Sequence, residues 1–205
     1  MVVSQSLELI FINIPNTGGN TVEDTLGLTT KTDGRGLRNG KAMHHYRWDE
    51  YIIYLGGYRL FKRFFKMSIV RNPYTRFIAH YFYCQIPNLG HKSLQKLDDF
   101  ISYAEDIVTN KKYDISPLHV NFCPQYRFLY DEFNNLKMDV VFRFERYGDI
   151  YTFLKDICCV DTMIKNHATK FPYHIKLTPI QEKRIKQMYY KDFKVFNYSL
   201  AAYDA

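Results

Sequence analysis

The chain lacks any long apolar run, and other features that would assign it to a class are missing as well. No stretch of about 18 or more apolar residues occurs, and the amino terminus leads directly into a predicted strand without the basic head and cleavage site of a signal peptide. No linker rich in Pro, Gly or Ser and no internal repeat divides the 205 residues. We therefore expect one domain over residues 1–205, soluble or cytoplasmic, with no membrane partner.

Cysteine is sparse. Cys84, Cys123, Cys158 and Cys159 form neither a CxxC pair nor a His-linked metal spacing. The two adjacent cysteines are poorly placed to bridge one another. The pattern predicts free, buried thiols in a reducing compartment and no metal site.

The basic residues form no continuous stripe. Lys and Arg number 28 against 21 Asp and Glu, for a formal charge of +7, but they are scattered along the chain. This pattern argues against a nucleic-acid partner and assigns most charges to a solvated surface. The net charge still suits an anionic nucleotide or an acidic acceptor.

Apolar runs and amphipathic segments alternate along the chain. We predict strands at 7–14, 64–70 and 138–144, and helices near 21–28, 47–55, 74–86, 94–109, 147–157 and 179–194. The segment 29–43 is rich in Gly, Lys and Arg and predicts a loop. The alternation favours an α/β fold with a mostly parallel central sheet flanked by helices.

The first segment that carries chemistry follows the first predicted strand. The apolar run ends at Pro15, Gly18 and Gly19 follow, and a helix starts near Thr21. Two glycines leave room for a ligand at the backbone, and free amides at a helix start can face an anion. The layout predicts a P-loop-like phosphate-binding turn, although packing turns share it.

A second segment, residues 66–81, repeats the order of strand, turn and helix. Arg71 ends the strand, and Pro73 stands near the start of the helix. Open α/β sheets bind ligands at the carboxyl edge, where an arginine offers a planar fork of donors to a phosphate. Arg71 is therefore a candidate phosphate ligand; a surface ion pair is the alternative.

Together the two segments resemble the nucleotide-binding motifs of the sulfotransferase superfamily, in its carbohydrate (heparan sulfate 2-O/6-O-like) branch. Those motifs usually read Ile-Pro-Lys-Thr-Gly-Gly-Thr and Val-Arg-Asn/Asp-Pro-x-x-Arg. The resemblance covers about residues 8 to 198. Other segments that are similar to elements of the family are Met43 to Glu50, His119 with Pro124-Gln125, Val140 to Glu145, and Tyr189 to Phe193 with Phe196 to Tyr198.

The resemblance implies an enzyme that moves a sulfuryl group from 3′-phosphoadenosine 5′-phosphosulfate (PAPS) to a hydroxyl, releasing 3′-phosphoadenosine 5′-phosphate (PAP), without a metal. It implies a carbohydrate acceptor, with a tyrosine or small-molecule hydroxyl as alternatives. The implied nucleotide-binding residues are Asn16, Thr17, Gly18, Gly19, Asn20, Thr21 and Arg71, and the implied substrate-binding residues are Glu50, His119 and Gln125.

Sulfuryl transfer requires a base, because the acceptor hydroxyl loses a proton as it attacks sulfur. A histidine suits that role at neutral pH. His45 holds the family position, five residues before Glu50, whose carboxylate either orients the ring or belongs to a neighbouring ion pair. His44 is the second choice, and an ordinary loop histidine is the alternative reading.

The chain departs from the family pattern at two positions. Asn16 replaces the lysine that contacts the bridging oxygen, and Ala79 replaces a serine that helps to bind the 3′-phosphate. A charged hydrogen bond is about twice as strong as a neutral one, and losing such a donor costs on the order of 10² to 10³ in rate.

Three interpretations follow. In the first, which we favour, the chain is an active sulfotransferase with His45 and Asn16 in the catalytic site. Either another cation, such as Lys41 or Lys66, replaces the lysine, or the enzyme is simply slow. In the second, it is a catalytically impaired homologue that binds PAPS, PAP or a glycan. A P-loop kinase is third, because the motif Gly-x-x-x-x-Gly-Lys-Ser/Thr is absent.

Overall fold

A computed structural model describes residues 3–28, 37–38, 41–42, 45–86, 96–156, 158–159 and 175–201. The chain groups into two compact units. The first comprises Met1–Val70 and Gln125–Ala168, and the second comprises Arg71–Pro124 and Thr169–Ala205. The single domain over residues 1–205 stays a prediction.

The first unit contains the sheet. The strands of the described residues are β1 (Val3–Ser4), β2 (Leu9–Ile12), β3 (Leu37–Arg38), β4 (Lys41–Ala42), β5 (Phe65–Val70) and β6 (Val140–Arg143). Four of them form one sheet in the order β1-β2-β5-β6, in which β1 is antiparallel to β2 and the other pairs are parallel. The α/β class with a mostly parallel sheet is therefore confirmed.

Burial explains why β2 and β5 are the centre of this sheet. All four residues of β2 are buried, as are all residues of β5 except Phe65, so both faces of these strands are covered. Continuous apolar runs are typical of such strands. Ile12 pairs with Ser68, whose hydroxyl donates to the Ile12 carbonyl oxygen at 2.7 Å.

Helices precede and follow the strands. The described helices are α1 (Gly19–Thr25), α2 (Trp48–Leu55), α3 (Tyr58–Arg63), α4 (Pro73–Cys84), α5 (Leu97–Thr109), α6 (Tyr126–Leu129), α7 (Tyr147–Asp156), α8 (Pro179–Met188) and α9 (Tyr190–Val195). Short 3-10 turns occupy 112–114, 117–122 and 144–146. Within the described ranges, no helix combines the length and the apolar character needed to cross a membrane.

The second unit is helical and has an aromatic core. The ring centroids of Phe77 and Phe100 lie 5.2 Å apart, and those of the buried His80 and of Phe122 lie 4.4 Å apart. Asn72 caps α4, because its side-chain oxygen accepts a hydrogen bond from the Tyr74 amide at 2.9 Å. These contacts fix the helix that directly follows the end of β5 in sequence.

The structure differs from the predicted elements in several places. The predicted helix 179–194 is two helices, α8 and α9, and the short β1 and α3 were not predicted. The predicted loop 29–43 contains β3 and β4, an antiparallel pair, while its other residues lie outside the described part. The turn predicted to bind phosphate accordingly follows the second strand of the sheet.

All four cysteines are free, as predicted. Cys123 and Cys158 are buried. Cys84 is only half-buried and Cys159 is exposed, so the prediction of buried thiols is wrong for these two.

Candidate active site

The turn between β2 and α1 has a left-handed backbone at two positions. Gly18 has φ 81° and Asn16 has φ 65°. Glycine takes this conformation without a steric penalty, and asparagine is among the few other residues that tolerate it. The hydroxyl of the fully buried Thr17 donates to the Ile14 carbonyl oxygen at 2.8 Å, which closes the turn internally.

Both glycines of the turn are packed against protein. A Cβ added to Gly18 would lie 2.9 Å from Cε2 of Phe144, and a Cβ added to Gly19 would lie 2.1 Å from Oδ1 of Asn13. The sequence suggested that these glycines leave room for a ligand. At both positions, however, protein atoms already occupy the space where a Cβ would lie. The glycines let the turn pack against its own unit.

Tyr147, the first residue of α7, holds the turn from that side. Its phenol donates to the Gly18 carbonyl oxygen at 3.1 Å and also forms a hydrogen bond with the Thr21 side chain. Burial raises the pKa of Tyr147, and the Thr21 hydrogen bond opposes that shift. Sequence reasoning missed this residue; its position just after the family's late strand was the available signal.

Asn13 and Glu23 form a buried pair behind the turn. Asn13 is 2% exposed and Glu23 4% exposed, and the Asn13 side-chain nitrogen donates to Oε1 of Glu23 at 2.6 Å. Burial raises the pKa of Tyr51 well above its usual value, and the negative charge of Glu23 is the second cause of that shift. Sequence reasoning did not predict this pair. The signal in the sequence was a polar residue, Asn13, within an apolar run, with an acidic residue, Glu23, ten positions later.

His45 contacts the same asparagine through the backbone. Nδ1 of the half-buried His45 lies 2.9 Å from the Asn13 carbonyl oxygen. A carbonyl oxygen only accepts, so Nδ1 carries the proton and Nε2 of the neutral ring carries the lone pair. The arrangement suits a general base that acts through Nε2. His44 lies outside the described residues.

Glu50 is in the first turn of α2. Its Oε2 accepts a hydrogen bond from the Arg47 amide at 2.7 Å and lies 3.7 Å from the Arg47 Nε. Of the two roles expected for Glu50, these contacts support the neighbouring ion pair. The Asn13 carbonyl orients the His45 ring.

Lys66 does not replace the missing lysine. It pairs with Ile10 in the sheet, and its ammonium lies 2.8 Å from Oδ2 of Asp139 and 2.6 Å from the Phe64 carbonyl oxygen. The turn follows the opposite, carboxyl end of β2. The expectation for Lys66 is therefore wrong, and the side chain of Lys41 lies outside the described part.

Arg71 belongs to the second unit and directly follows β5. It is 8% exposed, and its Nε donates to the Thr75 hydroxyl at 3.1 Å. The motif's second arginine, Arg76, donates from Nη2 to the Asn121 and Cys123 carbonyl oxygens, both at 3.1 Å. Arg76 therefore has structural contacts, and Arg71 stays the predicted phosphate ligand.

The remaining predicted site residues lie in both units. Ala79 is buried in α4 of the second unit. His119 is in the second unit, and its Nε2 lies 3.0 Å from the Tyr103 hydroxyl. Gln125 is in the first unit and has no exposed surface, so direct substrate binding would require this side chain to become accessible.

We expect Gly19→Ala to destabilise the protein by about 1–3 kcal/mol or more, since the new methyl would displace the Asn13 side chain and leave Glu23 without that donor. Gly148→Ala is the matched control. A Cβ at Gly148, in α7, meets nothing within 4 Å, and alanine should add about 0.5–1 kcal/mol there. Urea unfolding measures both, and equal stability of the two variants would contradict the packing argument.

Among the residues that the structure describes, no group of three or more His, Cys, Asp or Glu side chains is arranged to hold a metal ion. A protein-family model described as "Sulfotransferase family" matches residues 1–199. No curated protein and no solved structure matches the chain. The family match spans nearly the whole sequence, including both segments from which the site was predicted.

Proposed function

The chain belongs to the sulfotransferase family, and we propose that it transfers a sulfuryl group from PAPS to a carbohydrate hydroxyl with His45 as the base. Family membership assigns it to sulfuryl transfer between a nucleotide donor and a hydroxyl acceptor. One observation supports the choice of His45 as the base, and the carbohydrate acceptor rests on the resemblance of the sequence motifs. The Asn13 carbonyl, at the entrance to the turn, holds His45 in the tautomer that a base acting through Nε2 requires.

The hydrogen-bond donors of the predicted nucleotide-binding residues are of the types that bind an anionic nucleotide, namely backbone amides and a guanidinium. The Thr17 hydroxyl is engaged with Ile14, so Thr17 would contribute its backbone amide. Arg71 contributes a guanidinium that is partly fixed through Nε, and a guanidinium grips phosphate in a bidentate manner through its nitrogens. The residues that we assign to PAPS are Asn16, Thr17, Gly18, Gly19, Asn20 and Thr21 at the 5′ end and Arg71 at the 3′-phosphate.

The chemistry then divides among few groups. PAPS supplies the sulfuryl group, and PAP leaves with the bridging oxygen and its negative charge. His45 removes the acceptor proton through Nε2 while the acceptor oxygen bonds to sulfur, and the imidazolium that forms keeps its Nδ1–H bond to the Asn13 carbonyl. Most of the catalysis is positioning and electrostatic stabilisation, as in phosphoryl transfer.

A second candidate function is a homologue that binds PAPS, PAP or a glycan without efficient transfer. Asn16 favours it, because this residue is neutral and its φ of 65° suits asparagine better than lysine. The pairing of Lys66 with Asp139 removes one replacement cation. The turn can thus retain its fold while its leaving-group stabilisation is weak.

Calorimetry with PAP, followed by radiolabelled PAPS and a panel of desulfated glycans, tests the proposal. Binding of PAP and labelling of a glycan are expected. Labelling of a tyrosine peptide or a small hydroxyl compound alone would overturn the carbohydrate acceptor. Binding of PAP without labelling of any acceptor would favour the second function. Absence of PAP binding would overturn PAPS as the donor in the first function and PAPS or PAP as the ligand in the second.

We expect Arg71→Ala to weaken PAP binding by about 1.5–3 kcal/mol, roughly 10- to 100-fold in Kd, because a charged phosphate partner is lost. Arg71→Lys should lose less, since the charge remains while the planar fork is lost. The exposed Arg63→Ala, which removes the same net charge, is the control. Calorimetry measures all three, and unchanged PAP affinity in Arg71→Ala would remove Arg71 from the site.

A further inference from the structure

We propose that Asn13 is a positioning residue and Glu23 its anchor: together they hold the peptide carbonyl that fixes the catalytic tautomer of His45. The inference rests on the proposed function, because it assigns a role to two residues behind the proposed base. Neither residue was among those predicted from the sequence.

Asn13 is held through its carbonyl oxygen and its side-chain nitrogen. Its carbonyl oxygen lies 2.9 Å from Nδ1 of His45, and its side-chain nitrogen donates to Glu23 at 2.6 Å. Its side-chain oxygen occupies the space that a Cβ of Gly19 would need. The residue directly follows β2, whose four residues are all buried, so the backbone before it is also constrained.

The tautomer is the property that this arrangement controls. A neutral imidazole that accepts a proton through Nε2 must carry its own proton on Nδ1, and the hydrogen bond to the other ring nitrogen selects that form. Here the selecting group is a main-chain carbonyl, which no substitution can remove directly. Its direction depends on residue 13, whose side chain is fixed by Glu23.

The same contacts connect the base with the donor-binding turn. Glu23 is in α1, the helix that begins at Gly19, and Gly19 packs against the Asn13 side chain. A shift of the turn or of α1 would therefore move Asn13, and through its carbonyl the His45 ring. The pair Asn13–Glu23 aligns the base with the turn.

Nitrogen NMR of the protein labelled with ¹⁵N-histidine gives a readout that a merely structural role would not change. We expect His45 to carry its proton on Nδ1 in the wild type and to shift toward the Nε2–H form in Asn13→Ala. Turnover number should fall by about 10- to 100-fold, the cost of a small misplacement of a reacting group. The Kd for PAP should change much less.

Ser68→Ala is the matched control. It removes a buried hydrogen bond to the carbonyl of Ile12, the residue just before Asn13. We assign Ser68 no role in orienting His45. We expect a comparable loss of stability and an unchanged His45 tautomer. A tautomer that shifts equally in Ser68→Ala would overturn a specific role for Asn13.

A reversed pair provides a rescue. Asn13→Asp alone places two carboxyl groups at hydrogen-bond distance, where they share one proton at low pH and repel each other once it is lost, so the tautomer and the turnover should both be lost as the pH rises. Adding Glu23→Gln returns an amide donor and a carboxylate acceptor with their positions exchanged, and should restore both. This comparison also decides the case in which Asn13→Ala does not fold.

The results that would overturn the inference differ from those that would overturn the proposed function. An unchanged His45 tautomer in Asn13→Ala and in Asn13→Asp, or a double variant no better than Asn13→Asp, overturns the inference. Full turnover in His45→Ala overturns the base assignment, even where the tautomer still responds to Asn13. The two failures are therefore distinguishable.

Discussion

Replacing His45 by alanine is expected to lower turnover by about 10²- to 10⁴-fold, the usual contribution of a general base. The reason lies in the hydrogen bond from Nδ1 to the Asn13 carbonyl, which leaves the basic lone pair on Nε2. The affinity for PAP should stay nearly unchanged, because His45 acts on the acceptor. Rate measurements with radiolabelled PAPS and calorimetry with PAP check the two expectations.

Stability measurements separate a lost base from a damaged fold. His45 is half-buried, and the loss of its hydrogen bond to Asn13 should by itself cost about 1 kcal/mol in the free energy of unfolding. A His45→Ala variant with wild-type turnover would contradict the assignment. His44 and His119 would then be tested in the same way.

The central strands and most long helices could be predicted because their signals are local. The apolar runs of β2 and β5 and the period of α5 are readable within a few residues. The two-residue β1 is too short to carry a pattern. The break between α8 and α9 lies at Tyr189, where neither Gly nor Pro marks an end.

The contacts around the turn could not be predicted, because they join distant parts of the chain. The motif places Gly18 in a turn, but Phe144 and Tyr147, which pack against it, lie more than 120 residues later. A glycine in a motif also does not reveal whether ligand or protein occupies the space of its missing side chain. Here protein occupies that space.

The Lys66 error has a similar origin. A basic residue in a predicted strand near the second motif was a reasonable replacement cation by its position in the chain. The register of β5 places Lys66 opposite Ile10. Its ammonium forms an ion pair with Asp139, which lies more than 70 residues later in the chain. The parallel pairing of β2 and β5 places Lys66 near the amino end of the sheet, away from the turn.

Asn16→Lys should raise the rate of sulfuryl transfer at saturating donor by up to about 10²- to 10³-fold, the reverse of losing one preorganised donor. A positive charge at the bridging oxygen gains most as that oxygen becomes anionic in the transition state, so donor affinity should rise less than the rate. The left-handed backbone at residue 16 opposes the gain, since a lysine there costs roughly 1–2 kcal/mol of stability. Steady-state rates, PAP calorimetry and urea unfolding measure the three quantities.

Asn16→Met separates charge from backbone strain, because methionine brings a long neutral side chain into the same left-handed position. If the missing cation limits the enzyme, lysine should accelerate transfer and methionine should not. If another cation already acts, lysine should be neutral or harmful, because two ammonium groups would crowd one oxygen. If the chain is a binder, lysine should tighten PAP binding without turnover on any acceptor, and that result would count against the enzyme because the one charge missing from the turn would have been restored.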